Sequence, residues 1–86
     1  METLLKVAQL RVQGKPDEAL AQVDAELQQT ATDGERFLLM LQGLYAAEEA
    51  SDDAKARGYA SDLADIDPSL LSIQPYVALR PQDIKL

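Results

Sequence analysis

Four breaks cut this 86-residue chain into helix-length pieces: Gly14-Lys15-Pro16, Thr32-Asp33, Ser51-Asp52-Asp53 and Asp67-Pro68. Within each piece the apolar residues recur with a helical period. Leu4, Leu5, Ala8 and Val12 fall on one helix face, and Val7 and Leu10 widen it. Gly14 then suits a helix C′ position, where positive φ carries no Cβ penalty. Pro16 suits N1 of the next helix, and Asp17 and Glu18 favour its dipole in the first turn. Ala19, Leu20, Val23 and Leu27 give the second stripe. Thr32 and Glu35 have the spacing of a capping box, with side chain bonded to backbone in both directions.

The third piece differs from the others. From Phe37 to Ala47 it has no charge and is apolar nearly all round, which predicts a helix sandwiched between neighbours. Gly43 lies inside it at a cost of about 1 kcal/mol against alanine, so a close helix crossing is expected there. The fourth stripe is Ala56, Tyr59, Ala60, Leu63 and Ile66, closed by Asp67-Pro68, because the residue before a proline avoids the α region. Pro75 and Pro81 limit the remainder of the chain to short turns. No strand pattern competes. The chain is one domain, 1–86, and its last residues, about 80–86, read as a flexible tail.

Composition then removes whole classes of function. With no Cys and no His there are no zinc sites built on those ligands, no thiol nucleophile and no His-based acid–base scheme. The hydroxyls have no histidine to activate them, and the lysines sit in polar surroundings. Glu48, Glu49, Asp52 and Asp53 lack the glycine turn and closing glutamate of a calcium loop; they read as a solvated helix end. Asp62, Asp65 and Asp67 read as an outer helix face. No catalytic residue, metal ligand or cofactor site is therefore assigned. A net charge of −7 disfavours nucleic acid and anionic membranes as partners. It suits a protein or peptide partner that is basic or apolar. The longest uncharged run, eleven residues, is too short to span a bilayer, and Met1-Glu2-Thr3-Leu4 has no basic or long apolar signal region, so a cytoplasmic protein is expected.

The phrase Gly14-Lys15-Pro16-Asp17-Glu18-Ala19-Leu20, followed by Val23 and Leu27, resembles the turn and second helix of a tetratricopeptide repeat. Ala56, Ala60 and Leu63, then Leu63-Ala64-Asp65-Ile66-Asp67-Pro68, are similar to a second such helix and its closing segment. Ala19 and Ala56 are 37 residues apart, against a family repeat near 34. Repeat one has Ala31 where the family closes with proline, and repeat two has Ser51 where the turn glycine would stand. The resemblance covers about residues 2–68 and implies an all-α fold. Two antiparallel helical hairpins (helices about 2–13, 16–29, 33–49 and 53–66) would stack under a short C-terminal capping segment. A generic four-helix bundle is the competing reading.

In such repeats the first helix of each pair lines the concave face. Here the resemblance places Leu4, Leu5, Ala8, Arg11 and Val12 there, with Leu38, Leu41, Gln42, Tyr45 and Glu49. With no asparagine, and only Arg11 as a cation, this face does not match the family's carboxylate clamp. A largely apolar groove suits an amphipathic helix. The expected contact residues are Leu5, Ala8, Val12, Leu38, Leu41, Gln42, Tyr45 and Glu49, in a small adaptor or chaperone. The alternatives are that these residues pack into the core, or that the chain self-associates as a homodimer or as a subunit of a larger bacterial assembly such as a secretion system.

Overall fold

In the computed structural model, which describes residues 2–29 and 32–77, the punctuation residues do what their chemistry dictates. Helix α1, Glu2–Val12, stops because Gly14 turns to φ +76. The Lys15 N–H then reaches the Leu10 carbonyl at 2.9 Å and the Gly14 N–H the Arg11 carbonyl at 3.0 Å, the two bonds of a Schellman ending. Pro16 opens α2, Pro16–Leu27, with Asp17 and Glu18 in its first turn. Thr32 caps α3, Asp33–Glu49, by accepting the Glu35 N–H at 3.2 Å; the return bond of the expected capping box, from the Thr32 N–H to the Glu35 side chain, is not made among the described residues. Asp52 caps α4, Asp53–Ile66, by accepting the Lys55 N–H at 3.1 Å.

The turn between α3 and α4 repeats the first ending without a glycine. Ser51 takes φ +58. The Asp52 N–H bonds the Ala47 carbonyl at 2.8 Å and the Ser51 N–H the Glu48 carbonyl at 3.1 Å. A residue with a Cβ is held in the left-handed region at a cost of about 1–2 kcal/mol, because the neighbouring helices fix the direction of the chain. After α4, Asp67 accepts from the Ser69 N–H and hydroxyl at 3.0 and 2.6 Å, which holds its carboxyl below the usual range. A 3-10 turn, Leu71–Ile73, leads into α5, Gln74–Val77.

All elements among the described residues are helical. The packing follows chain order: α1 lies on α2 and α3, α2 on α3, α3 on α4, and the C-terminal turn and α5 lie on α4. Helix α3 is central, as its all-round apolarity requires, and it buries Leu39, Met40, Gly43, Leu44, Ala46 and Ala47. A Cβ on Gly43 would lie 2.8 Å from Cε2 of Tyr59. Glycine is there to let α4 approach.

Several expectations need correction. Helices α1 and α2 end at Val12 and Leu27, not at 13 and 29, because the chain starts turning at Gln13 and Gln28. In α1 the inward stripe is Leu4, Val7 and Leu10, with Val7 fully buried, whereas Leu5 and Val12 are exposed. An edge helix is covered on one side only. Ile66, expected in the α4 stripe, is 54% exposed because the chain leaves the helix at the next residue. The tail, about 80–86, lies outside the described residues.

Candidate protein-docking face

Gln42, Tyr45 and Glu49 stand at i, i+3 and i+7 on α3, one face of the helix. Arg11, on the last turn of α1, crosses to all three. Its Nε donates to Glu49 Oε1 at 2.6 Å, its Nη1 to Gln42 Oε1 at 2.7 Å and its Nη2 to Glu49 Oε2 at 3.5 Å. The guanidinium also lies over the Tyr45 ring, 5.0 Å from the centroid. The Tyr45 hydroxyl shares a 2.6 Å hydrogen bond with Ser72 Oγ on the C-terminal turn. A planar, multiply donating cation is the side chain that can join three such partners at once.

The two glutamates at the negative end of α3, a placement the dipole disfavours, each have a partner. Glu49 is held by Arg11. Glu48 accepts from the Tyr76 hydroxyl at 2.6 Å, and desolvation together with that bond pushes the Tyr76 phenol up to about 12. Sequence alone leaves both carboxylates free to steer a basic partner; in the structure both have partners inside the chain. The Arg11–Glu49 pair is 23% and 43% exposed on its two sides, so its net worth is about 1 kcal/mol or less, with a similar amount from the stacking on Tyr45.

The eight expected contact residues therefore divide. Gln42, Tyr45 and Glu49 come together, but as partners of Arg11. Leu41 is half-buried and packs against the core, and Ala8 is half-buried. Leu5, Val12 and Leu38 are 62%, 88% and 45% exposed. The face is thus a polar pin with exposed aliphatic side chains on α1 and α3, not a uniformly apolar groove. Arg11 as the hub, Ser72 as the partner of Tyr45, and Tyr76 as the partner of Glu48 do not stand out in the sequence. The one signal available is that Arg11 is the lone cation on an otherwise apolar helix face.

A second polar cluster ties α2 to α4. Asp24 accepts from the Tyr59 hydroxyl on one oxygen and from Lys55 Nζ on the other, the latter at 2.7 Å. Burial, then the bond to Asp24, raises the Tyr59 phenol well above its ordinary value; the same carboxylate raises Lys55. Both oxygens of Asp24 are thus engaged in holding helices together. Among the described residues no set of three carboxylates is arranged to hold a metal, and no helix is long and apolar enough to cross a membrane. No protein-family model, curated protein or solved structure matches the chain.

Proposed function

We propose that the chain is a non-catalytic, tetratricopeptide-like interaction module of the cytoplasm. In this reading α1–α2 and α3–α4 are two stacked antiparallel hairpins. The α1–α3 face holds a helical segment of a partner protein, as an adaptor or small chaperone does. The observation that carries it is the recurrence at 37 residues. Gly14 and Ser51 both take positive φ in the same two-bond helix ending. Val7 and Leu44, Ala19 and Ala56, and Val23 and Ala60 are buried pairs at the same offset. A generic bundle has no reason to repeat a turn and its packing positions together.

Partner binding is supported by Leu5, Val12 and Leu38, which keep aliphatic surface exposed on the two helices that the Arg11 contacts join. Such a face fits a helix with anchors at i, i+3, i+4 and i+7, with Arg11 setting its register. The test is affinity capture from the native cell using the parent, Val12→Asp and Leu38→Asp, followed by amide-shift mapping of the captured partner on the labelled protein. Both substituted residues are exposed, so helical circular dichroism should stay unchanged. Binding should be lost in both variants, with shifts confined to α1 and α3. A partner that binds the variants as it binds the parent, or that maps to α2 and α4, rules the face out. Tyr45 is a poor probe, since changing it breaks the contacts to Arg11 and Ser72.

A further inference from the structure

Because the elements pack in chain order, α1 is the first layer and α4 with the C-terminal turn is the last. The outward side of α1 carries Leu5, Lys6, Gln9, Val12 and Gln13, all exposed. Lys6 joins no ion pair among the described residues. At the other end, Asp62, Asp65 and Ile66 close α4 and are exposed, and Leu71 follows at 88% exposure. Asp62 and Asp65 also join no ion pair among the described residues. The last turn of α4 contains no cation, so its carboxylates face the negative end of the helix dipole.

The sequence is polarised to match. From Glu2 to Lys15 it carries Lys6, Arg11 and Lys15 against one carboxylate. From Asp52 to Asp67 it carries five carboxylates against Lys55 and Arg57, and those two cations are held by Asp24 and Asp53. Among the described residues each end thus offers two exposed aliphatic side chains and charge outside any ion pair, Lys6 at one end and Asp62 with Asp65 at the other. Like ends do not fit each other: α1 on α1 sets Lys6 against Lys6, and α4 on α4 sets Asp62 and Asp65 against themselves.

We infer that the occupant of each end is the opposite end of a second copy of this chain. Leu5 and Val12 of one molecule meet Ile66 and Leu71 of the next, and Lys6 meets Asp62 and Asp65. The contact is heterologous, so it propagates into short open chains or closes into a ring, according to the rotation per step. It shares Leu5 and Val12 with the partner face proposed above, but its tail residues Asp62, Asp65, Ile66 and Leu71 belong to no part of that face, so the tail variants test it independently of that reading.

The test is sedimentation velocity at low salt from about 10 μM to about 1 mM, the range of weak association. The parent should grow beyond dimer with concentration. Leu5→Asp/Val12→Asp (damaged head) and Ile66→Asp/Leu71→Asp (damaged tail) should each remain monomeric. Their equimolar mixture should form dimers that grow no further, since one good head meets one good tail. As a milder arm, Lys6→Glu or Asp65→Lys alone should weaken association about two- to fivefold, the range of an exposed ion pair, and mixing the two should restore it. A parent that stays monomeric throughout overturns the inference. So does a dimer that stops at two copies, a mixture of damaged head and damaged tail that stays monomeric, or association unchanged in both single-charge variants.

Discussion

Gly43→Ala should destabilise the protein, against what helix propensity alone says. Alanine is about 1 kcal/mol better than glycine in a helix interior, and α3 runs on either side of Gly43 without interruption. The new Cβ, however, would sit 2.8, 2.9 and 3.1 Å from three atoms of the Tyr59 ring. That ring cannot swing away freely, because it is buried and its hydroxyl is bonded to Asp24. Overpacking a close crossing costs about 1–3 kcal/mol. Shifting Tyr59 also weakens a hydrogen bond to a charged acceptor, about 1.5–3 kcal/mol when lost outright. The net is a loss of about 1–3 kcal/mol. In a domain of this size each kcal/mol moves Tm by roughly 4–8 °C. The control is Gly58→Ala in α4, where a Cβ would meet nothing within 4 Å; there the propensity gain of up to about 1 kcal/mol should appear in full. Thermal and urea unfolding of both variants decide the matter. If Gly43→Ala raises Tm as Gly58→Ala does, the crossing is looser than described and the reasoning fails.

Three other outcomes are expected. Ser51→Gly should stabilise the fold by about 1 kcal/mol, since glycine takes positive φ without strain; no gain in urea unfolding would show that Ser51 is not strained. Leu44→Ala, at a fully buried site, should cost about 2–5 kcal/mol, and Leu41→Ala, at a half-buried one, measurably less; equal losses in Tm would contradict the burial. The raised phenols of Tyr59 and Tyr76 make stability pH-dependent at the alkaline end. The unfolded phenols ionise near 10 while the folded ones hold their protons, so stability is full below about pH 10 and falls as pH climbs through about 12. Urea midpoints across that range should drop, and Tyr76→Phe should flatten the slope; a flat parent profile would remove both phenols from the account.

Local signals make the helices readable. Gly14, Pro16, Thr32 and Asp52 act through backbone geometry and neighbouring N–H groups, so their effect is written within three or four residues of sequence. The bounds of α3 and α4 follow from them directly. Ends without such a residue, as at Gln28, are extended too far by periodicity alone. The face is less readable. Periodicity groups Leu38, Gln42, Tyr45 and Glu49 correctly on one side of α3, but it cannot show that Arg11, on another helix, reaches three of them. That depends on where α1 lies against α3. The same holds for Asp24, Tyr59 and Lys55, which are unremarkable in their own helices and become one cluster only when α2 and α4 meet. Leu5, Val12 and Ile66 are grouped by periodicity with residues that the fold covers more fully. Their exposure reflects their place at the edges of the packing, which no single-helix pattern encodes.

The order of packing also bears on how the chain acquires its shape. Each helix finds its main partner in the next one along, so few contacts wait on distant sequence, and folding is expected to be fast for the chain's size. During synthesis α1 and α2 can pair as soon as they emerge, but Leu20 and Val23 have no lid until α3 follows. The vulnerable moment is therefore early: a nascent α1–α2 unit with an open aliphatic side, closed by the uncharged run from Phe37 to Ala47. A pause once residue 47 has emerged from the ribosome would let that closure form. A pause with residue 37 and its successors still inside the ribosome would leave the same surface available to a neighbouring nascent chain.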